Sequence, residues 1–249
     1  MTAFYKEFLE QRRTRKFLIA LVVLVLFGMT SPLMAKLTPQ IMTMVPGGEA
    51  FVGLIPDPTI NDAVTQYIKN ITQFGVLLAL VFSMGAMATE KDKGTAAMIL
   101  SKPMPRGSFL LAKFASLALT FIIAVVIAGV AAYYYTYFLF GKLDILNWLA
   151  LNGLIIFYIL VYVAITLLYS TLTRTQYVAI GLSFGTLIIL GILGGIPGFG
   201  INLPDALIGN ASMLMSGYPV TNWTGLWVSL GIIAVSITTA WLVFRKQEL

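Results

Sequence analysis

Apolar residues along this chain come in blocks too long for any soluble element, and polar residues gather in the gaps. Six blocks fall near Phe17–Ala35, Ile71–Ala88, Phe109–Phe138, Leu149–Leu172, Tyr177–Ile196 and Trp223–Phe244. A helix needs about 20 residues to cross a hydrocarbon core of ~30 Å. Each block therefore predicts a membrane-spanning helix, and the expected fold is all-α with six spans. Ahead of the first, residues 3–16 have a different rhythm. Phe4, Tyr5, Phe8 and Leu9 share one helical arc, with Lys6, Glu7, Glu10 and Arg13 opposite. That pattern predicts a short amphipathic helix lying in the headgroup plane. A basic start followed by an apolar run also fits a secretory leader, but the run is long and Leu33 is a poor cleavage-site residue. An uncleaved first span is the reading adopted.

The gaps orient the spans, because Lys and Arg accumulate on the cytosolic side. Lys6, Arg12, Arg13, Arg15 and Lys16 precede the first span, and Lys91, Lys93, Lys102, Arg106 and Lys113 lie between the second and third. Arg174, Arg245 and Lys246 fall on the same side, against Lys36, Lys69 and Lys142 on the other. Both termini are thus expected in the cytosol, with the chain in the plasma (inner) membrane. Tyr133, Tyr134, Tyr135, Tyr137, Trp148, Trp223 and Trp241 fit interfacial belts. The outer loops, 36–70 and 197–222, are rich in Pro and Gly. The first is expected to hold a helix from Asn61 into the second span, the second to hold short re-entrant helices.

Composition agrees and then excludes. Of 249 residues, 59% are hydrophobic and 10% charged, where soluble domains carry about 25% charged. There is no Cys and no His. This removes thiolate chemistry, the commonest general base and the commonest metal ligand. No GxxxxGK[ST] phosphate loop is present, so ATP hydrolysis would need another chain. No catalytic residues and no metal site are assigned. Met34, Met42 and Met44 offer thioethers suited to Cu(I), but Met is also ordinary membrane packing. No acidic or basic residue lies deep in any block as bounded above, which speaks against a proton relay. The net charge of +6 reads as topology rather than as a nucleic-acid surface.

The longest charged stretch, "TEKDKGTAAMILSKPMPR" at 89–106, needs its own reading. Charges from Glu90 to Lys93 leave the membrane, Gly94 permits a sharp bend, and Thr95 is a good N-cap. A very short helix follows, with Met98 and Leu100 free to touch a surface, and Pro103 and Pro105 end it. Arg106 turns the chain back. So short a helix is not stable alone, and a solvated loop is the plainer alternative to docking on a protein.

With "GSFLLAKF" opening the next span, this stretch resembles the permeases of type-2 ABC exporters. The matching positions are Glu90, Lys93, Gly94, Thr95, Leu100, Ser101, Pro103, Arg106 and Lys113. The amphipathic start, six spans and basic end match too, and the likeness is to short permeases without a fused ATPase. The resemblance implies one permease domain over 1–249, with 1–16 an elbow helix and 89–106 a coupling segment. It implies two copies of an ATPase subunit, ATP and Mg bound by that partner, a second permease copy (identical or different), and surrounding lipid. Glu90, Lys93, Gly94, Thr95, Met98, Leu100, Ser101 and Arg106 would then contact the ATPase. Gly181 and Gly185, a GxxxG in the fifth span, are candidates for helix packing or the dimer. Ser83, Tyr158, Tyr162 and Ser183 are candidates for a path carrying an amphipathic drug, peptide or lipid. The alternatives are a secondary transporter or channel, and a membrane scaffold or immunity protein.

Overall fold

The structure, a computed structural model, describes residues 2–44, 57–92, 94 and 105–247. Among them the chain is helical: α1 (Thr2–Arg13), α2 (Lys16–Thr43), α3 (Ile60–Ser83), α4 (Gly85–Asp92), α5 (Arg106–Phe140), α6 (Ile145–Leu172), α7 (Gln176–Gly194), α8 (Ala206–Met215) and α9 (Thr224–Lys246). Six of these segments are long and apolar enough to cross a membrane, with α3 and α4 together forming one, Ile60–Asp92.

Local chemistry sets several boundaries. Asp144 caps α6 by accepting from the Leu146 amide at 2.9 Å. Asp62 completes a capping box with Thr59 at the start of α3. The helices overrun the apolar blocks in two places. α2 continues past Ala35 to Thr43 although it contains Pro32 and Pro39. Proline is tolerated in membrane helices, and nearby the hydroxyls of Thr30, Ser31 and Thr38 donate to the carbonyls of Leu26, Phe27 and Met34. α3 starts at Ile60, close to the expected Asn61 helix, so Lys69 stands well inside a continuous span. Lys69 therefore belongs to the helix of the second span rather than to the loop before it.

α6 is the central post, with 67% of its apolar window buried, whereas the α7 window is 11% buried. Around α6 stand α3, α5, α9 and α8. α2 closes against α5 where Gly28 meets Ala128: a Cβ at Gly28 would lie 2.7 Å from the Ala128 carbonyl oxygen. Trp148, near the start of α6, is buried within the chain. Its Nε1 donates to the Gly129 carbonyl at 3.1 Å, and Asn152 links it to Tyr67. The reason is that Gly129 leaves room for Asn152 and exposes an acceptor beside it. The Arg106 guanidinium donates to the carbonyls of Phe244, Arg245 and Gln247. Since α1 also packs on α5, α1, the start of α5 and the end of α9 share one end of the bundle.

Candidate functional site

At that end, three separate segments meet on one lysine. Lys113 on α5 is 4% exposed. Its Nζ donates to Glu7 Oε2 of α1 at 2.9 Å and to Glu90 Oε1 of α4 at 2.7 Å. A helical turn further along the same face, Ser116 Oγ accepts from Gln11 Nε2 at 2.7 Å, and Thr120 Oγ1 donates to Gln11 Oε1 at 2.6 Å. Lys16 Nζ donates to the Phe82 carbonyl of α3 at 3.3 Å. Beside the lysine lies a cavity of about 390 Å³, lined in part by Glu7, Glu10, Gln11, Lys16 and Glu90. Carboxylate oxygens of Glu7, Glu10 and Glu90 come within 4.8 Å of one another. The Lys113 ammonium bridges two of them, Glu7 and Glu90.

Two carboxylates from other helices hold the Lys113 ammonium inside the chain. On α1 the polar side faces the chain, with Glu7 and Gln11 buried and Tyr5 exposed. Glu7 and Gln11, four apart, match Lys113, Ser116 and Thr120 on α5. The sequence signal that could have located this face was the i, i+3, i+7 run of Lys113, Ser116 and Thr120 in an apolar helix.

Glu90 lies at the start of the charged stretch. Gly94 has φ +66°, the left-handed conformation the bend requires, and its amide bonds the Lys91 carbonyl. Lys93, Thr95, Met98, Leu100 and Ser101 lie outside the described residues, as does Met42's side chain.

On another flank, α3, α6 and α7 enclose an open groove of about 520 Å³. Lys69, Gln73 and Leu77 of α3 form one edge, Phe184 and Leu187 of α7 the other, and Tyr158 the floor. Behind it, the Tyr158 hydroxyl donates to Asp205 Oδ1 at 2.9 Å. Burial pushes the Asp205 carboxyl above the usual carboxylate range, and the Tyr158 hydrogen bond offsets part of that. Of the four candidate path residues only Tyr158 lines the groove. Ser83, Tyr162 and Ser183 are buried within the chain, because helix packing turns them inward, and Ser183 bonds back to the Ala179 carbonyl.

The sequence profile described as "ABC-2 family transporter protein" matches residues 1–210. The chain belongs to this family. It is also similar to a protein of Bacillus subtilis (strain 168) named "Uncharacterized transmembrane protein YxlG", 25% identical over 188 residues covering 74% of this chain and 72% of that protein. As an ABC-2 permease it is a multi-pass membrane protein. Within the ABC-2 chain, Gly181 and Gly185 pack against nothing: a Cβ at either meets no atom within 4 Å. The intramolecular close approach falls instead on glycines such as Gly28 and Gly129, which carry no GxxxG signature in the sequence.

Proposed function

We propose that this chain is the membrane half of an ATP-driven exporter whose ATPase is a separate subunit. The observation that carries the reading is the Lys113 clamp, added to membership of the ABC-2 family. The clamp joins α1, α4 and α5 on either side of the charged stretch, at the end bearing most of the Lys and Arg. That end is assigned to the cytosol. A push on the stretch from an ATPase would pass through Glu90 into Lys113 and then into α5, a rigid helix of 35 residues. Ion pairs buried among well-packed helices transmit displacement because breaking them leaves an uncompensated charge.

In this mechanism two ATPase subunits bind ATP and Mg, close, and drive two coupling segments together. Two permease copies then change the access of a path between them. The bare α7 face, with Gly181 and Gly185, is assigned to the second copy, since small residues let membrane helices approach closely. The groove of α3 and α7 would line that path, and its apolar walls suit an amphipathic cargo. Purification in mild detergent tests the reading. The isolated chain should lack ATPase activity, and a co-purifying ATPase should restore it. Robust hydrolysis by the isolated chain, or no associated ATPase, would falsify the assignment.

A further inference from the structure

We propose that the groove between α3 and α7 holds an amphiphile with an anionic head, the head at Lys69 and the tail along Leu77. The inference rests on the permease reading and names its cargo class. Three observations carry it. The first is depth. Lys16 belongs to the basic cluster that marks the cytosolic interface and bonds the Phe82 carbonyl, so Phe82 serves as the reference level on α3. At 1.5 Å per residue, Gln73 lies ~14 Å and Lys69 ~20 Å from Phe82. In a core of ~30 Å, Gln73 is near the midplane and Lys69 in the outer half.

The second is partnership. Lys69 and Gln73 are both exposed on the same face, four residues apart. Among the described residues the Lys69 ammonium and the Gln73 amide bond to no other side chain or backbone group. Asn152 and Tyr67, by contrast, are satisfied internally. Polar groups facing hydrocarbon are costly, so this face lines water or a polar ligand rather than lipid tails. The third is the gradient. Among the described residues that line the groove, Lys69 is the only charged one. Below it the wall becomes apolar through Leu77, Phe184 and Leu187. A cation at one end and an apolar slot at the other fit an anionic head and a hydrocarbon tail, and disfavour a cationic drug.

The chain has no cysteine, so Gln73→Cys places a single thiol in the groove. The variant, carried with its ATPase partner, goes into vesicles of phosphatidylcholine alone or with one quarter phosphatidylglycerol. Labelling by a charged methanethiosulfonate reagent is then timed. The thiol should react in phosphatidylcholine, and phosphatidylglycerol should slow the reaction about tenfold, equivalent to about 1.4 kcal/mol of occupancy. Lys69→Gln should abolish the protection and Lys69→Arg should keep it. Equal rates in both lipids, or protection indifferent to Lys69→Gln, overturns the inference. So does protection by inorganic phosphate alone, which would make the ligand a soluble anion. A Gln73→Cys disulfide between two copies, with no labelling, would make the occupant a second chain and overturn it too. ATP hydrolysis on the same vesicles separates the failures: coupled hydrolysis without lipid protection sinks this inference alone, and protection without any ATPase sinks the permease reading.

Discussion

The Lys113 clamp and the Lys69 groove each present a lysine inside a membrane helix, and they differ in who satisfies it. Lys113 has two carboxylates from two other helices of the same chain. Lys69 has no side-chain partner among the described residues and opens to a groove. A charge fully matched from within holds segments together, because its solvation has been replaced by fixed partners. A charge left unmatched in an apolar setting is tolerated only where water or a ligand completes it. The same residue type thus reports a joint in one place and a binding surface in the other.

The strongest way to break this contrast is to treat Lys113 as though it were Lys69. Lys113→Ala leaves Glu7 and Glu90 facing each other without their cation, and removing one partner of a buried pair costs about 3–5 kcal/mol. Membrane abundance and unfolding temperature should both drop sharply, and Lys69→Ala should leave both nearly unchanged. Glu90→Lys sharpens the point by setting a second cation against Lys113. Its abundance should fall with its ATPase binding, whereas a Glu90 that met only the ATPase would lose binding at normal abundance. Equal stability of Lys113→Ala and Lys69→Ala would dissolve the distinction.

How far the sequence reached follows the same line. The six spans were legible because burial in lipid demands long apolar blocks, and the bend at Gly94 because few other residues accept that conformation. The clamp was only half legible. Glu90 and Lys113 stood out, but their partner Glu7 lies over a hundred residues from Lys113, and only folding brings them together. The groove was not legible, since trimming the second span to its apolar block put Lys69 into a loop. Glycines were legible only as candidates for a related reason: spacing marks where close approach is allowed, whereas the neighbour decides where it happens.

That last point yields a middle-sized effect. Gly28→Leu must push apart backbones already in contact at Ala128, and overpacking costs about 1–3 kcal/mol. It should lower the unfolding temperature of the detergent-solubilised chain irrespective of protein concentration. Gly185→Leu has free space around it in one chain. It should leave monomer unfolding unchanged and weaken self-association by about 1–2 kcal/mol, read from the dilution dependence of cross-linking. A monomer destabilised equally by both substitutions would mean that the α7 face packs within the chain.

The smallest effect concerns Asp205, which stands between the two regions. Like the clamp it has a partner in this chain, the Tyr158 hydroxyl, but that partner is neutral and forms the groove floor. Burial raises its carboxyl above the ordinary aspartate value. With the folded value above the unfolded one, the folded protein holds more protons between the two. The stabilising contribution is complete below the unfolded value and is lost as pH rises through the folded one. Acidification from neutral should therefore favour the folded state at this site, while other carboxylates add their own dependence. Asp205→Asn removes the ionisation and keeps an amide oxygen to accept from Tyr158. The difference in unfolding temperature between the two proteins isolates the site. It should favour Asp205→Asn slightly at neutral pH and shrink as the pH falls towards the ordinary carboxylate range. A difference that stays flat would place the Asp205 carboxylate in water, away from Tyr158, and would join it to the open groove rather than to the matched interior.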